Sequence, residues 1–218
     1  KYLGNYEKSE RKGLICIPSG NHDTDRLARA LQGDSLKIAF AFLLSMPGAP
    51  FIYYGDEIGM RYVENLVSVE GGYGRTGSRS PMQWDASVNA GFSTAPKEKL
   101  YVPQDESADR PTVEKQMADE NSLYHEIKKL IQVRQSHKAL QSKGEITFVY
   151  AQENAYPLAY LRTEGEERIL VVINPAAREV SFDCAYMPRE TIYSFGGGIV
   201  LNDGKMTVPA QSVAFLGI

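Results

Sequence analysis

The sequence predicts a parallel α/β segment followed by an all-β domain. Three observations carry this. First, the apolar run Leu14-Ile15-Cys16-Ile17-Pro18 feeds directly into Ser19-Gly20-Asn21-His22-Asp23-Thr24-Asp25-Arg26. A buried strand that ends by presenting polar side chains is how parallel α/β folds build a site. Second, a mostly apolar helix and the short apolar strand Phe51-Ile52-Tyr53-Tyr54 follow with tight connections. Strand, helix, strand in that order is a βαβ unit. Third, past Gly144 the hydrophobic period changes to two, which marks half-buried strands.

The first dozen residues are polar and can close a helix before a loop at Ser9–Gly13. Leu14–Pro18 is expected as a short buried strand. Asp34 is placed to cap a helix over Ser35–Met46, whose Leu36, Ile38, Ala39, Phe40, Phe42, Leu43 and Leu44 make it apolar nearly all round. Pro47-Gly48-Ala49-Pro50 stops that helix, and Tyr53-Tyr54 are expected to face a core. From Met60 to Ser122 periodicity dissolves into Gly, Pro, Ser and Asp. A loop this long is usually functional or disordered, and Trp84 beside Met82 and Pro81 suggests an anchored one. Ser122–Leu140 then reads as an amphipathic helix carrying Leu123, Ile127, Leu130, Ile131 and Arg134 on helical spacing.

Seven alternating stretches follow: Ile146–Ala151, Leu158–Arg162, Ile169–Asn174, Glu179–Phe182, Thr191–Ser194, Met206–Val208 and Ser212–Leu216. Turn signals such as Asn202-Asp203-Gly204 separate them. Short strands at this spacing predict an antiparallel sandwich or barrel, with a domain boundary near Ser142–Gly144, dividing the chain into 1–142 and 143–218.

Composition limits the function classes. The 218 residues are 43% hydrophobic and 23% charged with net charge −3, the balance of an ordinary globular protein. Basic residues cluster no further than pairs such as Lys128-Lys129, so no nucleic-acid footprint is expected. No apolar run reaches the roughly 18 residues of a membrane span, and no membrane partner is expected. Cys16 and Cys184 lie far apart in β-like runs and are expected as buried thiols; neither has metal-ligand spacing. The N-terminus has no apolar leader-like core, which favours a cytoplasmic location. It also lacks an initiator Met, and the chain is expected to be the later part of a longer protein.

Several motifs in one order give a sharper reading. Asn21-His22-Asp23, then Phe51-Ile52-Tyr53-Tyr54-Gly55-Asp56-Glu57-Ile58-Gly59-Met60, then Arg79-Ser80-Pro81-Met82-Gln83-Trp84-Asp85 and Asn89-Ala90-Gly91-Phe92-Ser93 run in sequence. With Val113-Glu114-Lys115-Gln116 they resemble the C-terminal part of an α-amylase-family glycoside hydrolase of the α-glucosidase and oligo-1,6-glucosidase type. The resemblance implies strands seven and eight of a (β/α)8 TIM barrel, a long loop and closing helix, and a C-terminal β-sandwich.

It also implies retaining chemistry at an α-glucosidic bond of a malto- or isomalto-oligosaccharide, in which one carboxylate attacks the anomeric carbon and a carboxylic acid protonates the leaving oxygen. Asp23 matches the third carboxylate, which stabilises the positively charged transition state. His22 matches a sugar-binding residue. Asn21, Arg26 and Arg79 are the other candidates for substrate binding, Arg26 alternatively pairing with a carboxylate. Arg75 and Arg79 are each weighed between a substrate subsite and a structural ion pair, and Asp56-Glu57 between catalytic carboxylates and the favoured role of shaping its loop. The nucleophile and the acid/base belong to upstream strands, and Glu7 and Glu10 lie in a polar stretch unlike a strand end. The chain is therefore expected to be an incomplete catalyst that self-associates through unfinished barrel edges. No cofactor is implied; calcium, bound by some relatives, is not demanded by any acidic cluster.

Two rival readings remain open on sequence. Gly20-Asn21-His22-Asp23 also resembles a metal-binding signature of dinuclear phosphoesterases, but no upstream Asp-x-His and no further Gly-x-His accompany it. A glycan-binding module would use Tyr150, Tyr156, Tyr160, Tyr186, Tyr193 or Phe195 of the sandwich, where alternating aromatics are more often core. His125 and His137 read as surface residues of the last helix.

Overall fold

The computed structural model describes residues 2–9 and 12–218. Glu10 and Arg11, within the expected loop at Ser9–Gly13, lie outside them. Helix α1 (Tyr2–Lys8) precedes strand β1 (Cys16–Pro18); α2 (Leu27–Ala30), α3 (Asp34–Ser45) and β2 (Ala49–Phe51) follow. The N–H of Ala49 donates to the Ile15 carbonyl and the N–H of Ser19 to that of Phe51. Both partners climb in number together, so β1 and β2 are parallel, as the βαβ reading requires. The second strand lies two residues earlier than expected, and Phe51 is 58% exposed. Cys16 is also exposed and only Cys184 is buried; both thiols are free. The expectation of a buried first strand and a buried Cys16 is thus corrected: among the described residues β1 pairs with β2 alone in a two-stranded sheet, and a strand with one neighbour keeps bare surface.

By internal contacts the chain forms two compact units, one comprising 1–17, 37–50 and 129–218, the other 18–36 and 51–128. In the first, α3 begins at Asp34 itself. Its far end is closed by a cation: Arg134 of α5 donates to the carbonyls of Leu44, Met46 and Gly48 at 2.7, 2.7 and 2.9 Å. Carbonyls at a helix C-terminus have no partner within the helix, so a buried guanidinium fits there. Arg162, fully buried, does the same for Gln141 and Gly144 and for Ser45. Desolvation lowers its pKa to about 10.

The rest of this unit is a β-sandwich. Strands β5 (Glu145–Tyr150), β6 (Leu158–Glu164), β7 (Glu167–Asn174), β12 (Ser212–Gly217) and β9 (Glu190–Phe195) form one antiparallel sheet in the order β5-β6-β7-β12-β9. Strands β10 (Val200–Asn202), β11 (Lys205–Val208) and β8 (Val180–Asp183) form the other. Leu161, Leu170, Val172, Ala214 and Leu216 of the first sheet pack with Phe182, Met206 and Val208 of the second. The alternate residues Tyr160, Val171 and Phe215 are also buried, and the Tyr160 hydroxyl meets Ser45 Oγ of α3 at 2.5 Å. Two covered faces explain why β12 is buried at every position. Of the sandwich aromatics, Tyr160 and Tyr193 are core, whereas Tyr156 is exposed. β10 had no signal in the sequence: three residues, Val200-Leu201-Asn202, are too short for a period.

In the second unit the long segment is ordered by short hydrogen-bonded pieces. They include the hairpin β3 (Val67–Ser68) and β4 (Gly71–Gly72), several 3-10 turns and α4 (Val113–Ala118), capped by the Thr112 hydroxyl. Gln83 Nε2 donates to the Pro111 carbonyl, and the N–H groups of Val113 and Glu114 donate to the carbonyls of Gln83 and Trp84. The anchor is Met82, packed with Ile58, Met60 and Val113; the Trp84 side chain is 49% exposed. Helix α5 (Leu123–Ser136) ends four residues before expected and passes into a 3-10 turn at Lys138–Leu140. His125 and His137 have partners rather than bare surfaces: Ser122 and the Asp119 carbonyl for one, Glu167 for the other.

Candidate functional site

The end of β1 is tied to the turn after β2 by one hydroxyl. Ser19 Oγ donates to Asp56 Oδ2 at 2.6 Å and accepts from the N–H of Tyr53 at 3.0 Å. Gly20 is small for the same reason, since a Cβ there would lie 3.2 Å from Asp56 Oδ2. Arg26, expected at a substrate or paired with a carboxylate, is seated inside. Its Nη1 donates to Asp56 Oδ1 at 3.0 Å and to the Tyr54 carbonyl at 2.7 Å, and its guanidinium carbon sits 4.9 Å from both tyrosine ring centroids. Arg26 is 1% exposed and Asp56 2%, so in this form Arg26 supports the wall rather than facing solvent. Burial pushes the Asp56 carboxyl upward, opposed by the Ser19 hydroxyl and Arg26. The expected core-facing tyrosines instead use their hydroxyls on the loop: Tyr53 donates to the Ser78 carbonyl and Tyr54 to that of Ser80.

With β1 and the turn fixed, Asn21-His22-Asp23-Thr24 forms a compact loop. The Asp23 N–H donates to Asn21 Oδ1 at 2.7 Å and the Asn21 N–H to Thr24 Oγ1 at 3.1 Å, an Asx turn. Asn21 therefore shapes the loop. Asp23 does not cap the next helix, because Arg26 occupies the position before α2. The carboxylate of Asp23 is instead the meeting point of three side chains. Arg79 Nη2 lies 2.9 Å and Arg75 Nη1 3.2 Å from Oδ1, and His22 Nε2 lies 3.2 Å from Oδ2. Arg79 reaches back with Nε to the His22 carbonyl at 2.9 Å, so one guanidinium clamps both residues. Both arginines sit on the 3-10 segment around Thr76–Arg79, and Ser78 Oγ ties that segment to the Thr24 carbonyl at 2.5 Å.

Asp23 thus stands half in solvent, 47% exposed, between two cations, while Asp56 is sealed away. The site gathers two guanidinium groups around one accessible carboxylate, an arrangement that holds Asp23 aimed. Arg75, weighed on sequence between a subsite and a structural ion pair, is paired here with Asp23. Glu57 is half-buried, burial raises its pKa, and its Oε2 has no hydrogen-bond partner. Among the described residues no group of three or more His, Cys, Asp or Glu is arranged to hold a metal ion.

Residues 4–143 match the family model of the alpha amylase catalytic domain, and residues 146–203 that of the maltogenic amylase C-terminal domain. The chain belongs to the alpha-amylase family. An oligo-1,6-glucosidase of Parageobacillus thermoglucosidasius is 31% identical over 218 aligned residues, covering 84% of this alpha-amylase-family chain and 37% of that relative. A trehalose synthase of Thermus thermophilus is 34% identical over 164 residues, covering 72% of this chain and 16% of the relative. Among solved structures, the trehalulose synthase MutB from Pseudomonas mesoacidophila MX-45 superposes with a TM-score of 0.79 at 22% identity, over all of this chain and 47% of that one. That likeness shows the fold: the C-terminal part of a TIM barrel followed by a sheet-rich domain. The chain spans less than half the length of these relatives. Family membership also leaves the phosphoesterase resemblance of Gly20–Asp23 without support.

Proposed function

We propose that this chain is the C-terminal portion of a retaining α-glucoside-active hydrolase or glucosyltransferase, and that Asp23 is its transition-state-stabilising carboxylate. The observation that carries the reading is the clamp on Asp23: an accessible carboxylate at the end of a parallel strand, fixed by Arg75, Arg79 and His22. A developing oxocarbenium ion needs a negative charge placed where positive charge appears, and a preorganised one costs little reorganisation. His22, 65% exposed at its side chain, and Arg79 supply donors for sugar hydroxyls beside it. Asn21 acts through the turn it makes, and Arg26 by holding Asp56 and the strand ends.

In this reading the nucleophile and the acid/base come from barrel strands outside these 218 residues, and the chain by itself is inactive. The carboxylates after the second strand fit those roles poorly, since Asp56 is locked on Arg26 and Glu57 is half-buried. In the longer enzyme that carries this chain, Asp23→Asn is expected to lower kcat by at least about 100-fold with little change in unfolding midpoint. An unchanged kcat removes Asp23 from the mechanism.

A further inference from the structure

Behind the clamp on Asp23 stands another guanidinium, on a residue the sequence did not single out. Arg29 lies in α2. Its Nη1 donates to Asp25 Oδ1 at 2.7 Å, and its Nη2 lies 2.9 Å from Glu64 Oε1. The guanidinium carbon also sits 4.1 Å from the centroid of the Tyr62 ring. One cation thus joins the loop that carries Asp23, through Asp25, to the start of the long segment, through Tyr62 and Glu64. Stacking on a ring while serving two carboxylates is geometry that an arginine supplies and a lysine does not.

Tyr62 passes this placement on. Its hydroxyl donates to the Gly74 carbonyl, and the Val63 N–H donates to the Gly77 carbonyl at 3.1 Å. Gly77 is buried against the ring, where a Cβ would lie 2.6 Å from Tyr62 Cζ. Residues 74 and 77 are therefore both held to Tyr62-Val63, and Arg75 lies between them. Arg75 needs that support. Its side chain is 55% exposed and reaches Asp23 Oδ1 at 3.2 Å. A long exposed side chain loses rotamer entropy when held in one geometry, so it pairs well only when its backbone starts in place. We propose that Arg29 is a positioning residue for the Asp23 site: working through Tyr62, it sets the backbone of Arg75 and so fixes one of the two guanidinium groups that aim the carboxylate. The inference rests on the α-glucoside reading for its effect on turnover, whereas the placement of the segment is measurable on this chain alone. The ion pairs of Arg29 are partly in solvent and add little to global stability, so the consequence of losing them is local.

Hydrogen exchange on this chain reads the placement. The amides of Val63, Thr76 and Ser78 donate to the carbonyls of Gly77, Tyr73 and Arg75. Arg29→Ala is expected to speed their exchange at least about fivefold with the sandwich strands unchanged, and Tyr62→Leu to do the same. In the longer enzyme that carries this chain, Arg29→Ala is expected to lower kcat about three- to tenfold with KM within about twofold. In an Arg75→Ala background the same substitution is expected to change kcat by less than about twofold. Unchanged exchange at the three amides overturns the proposal. Losses that multiply independently in the Arg29 and Arg75 double variant overturn it as well, since Arg29 then acts by another route. So does an unchanged kcat for Arg29→Ala in an enzyme that Asp23→Asn impairs, an outcome that spares the functional reading. A full kcat in Asp23→Asn removes that reading instead, and the exchange result then decides the placement by itself.

Discussion

Arg26 is a buried cation paired with the Asp56 carboxylate, and removal of one member of such a pair leaves the other charge uncompensated. Arg26→Ala is expected to lower stability by about 3–5 kcal/mol, measured by urea unfolding, with Asp56→Asn adding much less in that background than alone. Asp23 is the opposite case. It is half in solvent, so Asp23→Asn is expected to change stability by no more than about 0.5 kcal/mol, which separates its chemistry from folding. Glu57 supplies a pH dependence. Its raised pKa means that the folded chain holds the proton more tightly than the unfolded chain, so stability contributed by this group falls as pH rises from the ordinary carboxylate range through the raised value. Glu57→Gln cannot ionise, and its Tm relative to the parent chain is expected to rise between about pH 4 and about pH 7; a constant difference shows that Glu57 titrates normally. At this scale the motif Asn21-His22-Asp23 was legible as a strand-end cluster. The burial of Arg26 and the convergence of Arg75 on Asp23 were not, because each depends on a partner at least 30 residues away in sequence.

The elements owe their ends to buried guanidinium groups as much as to local caps. Arg134 satisfies three carbonyls where α3 finishes. Arg134→Met keeps the apolar stem and removes the donors, and a loss of about 2–4 kcal/mol in unfolding free energy is expected from stranded carbonyls; a loss below about 0.5 kcal/mol shows that water replaces the guanidinium. Sequence placed Arg134 on a helix face without revealing this task, since nothing local distinguishes it from a solvated arginine. The strands of the sandwich were readable because one face of each meets the other sheet and imposes a period of two. β7 and β12 are buried on both faces, yet Gly165 and Gln211 mark their boundaries with positive φ. The parallel pair was read two residues out of place at β2: the apolar side chains of Phe51-Ile52-Tyr53-Tyr54 suggested strand, while Tyr53 and Tyr54 are recruited by the loop carbonyls of Ser78 and Ser80.

The whole molecule is an alpha-amylase-family segment that matches less than half of its relatives' length. Leu14, 48% exposed, and Phe51, 58% exposed, sit at or beside the two-stranded parallel sheet. Bare apolar side chains and open strand edges favour pairing with another chain, so sedimentation of the purified chain is expected to show concentration-dependent association; a monomer at every concentration counts against unfinished barrel edges. The long segment from Met60 to Ser122 had no readable period because it is built from side-chain to carbonyl ties rather than repeating elements. That segment nevertheless delivers Arg75 and Arg79 to Asp23. The central claim is that this chain contributes the stabilising carboxylate of a glycosidase site without the nucleophile and the acid/base. It is tested most directly by glucose release from maltose, isomaltose and an aryl α-glucoside at high concentration of the purified chain, beside Asp23→Asn. The account predicts no release by either. Release by the parent chain that vanishes with Asp23→Asn would contradict it and place a complete catalytic set within these residues.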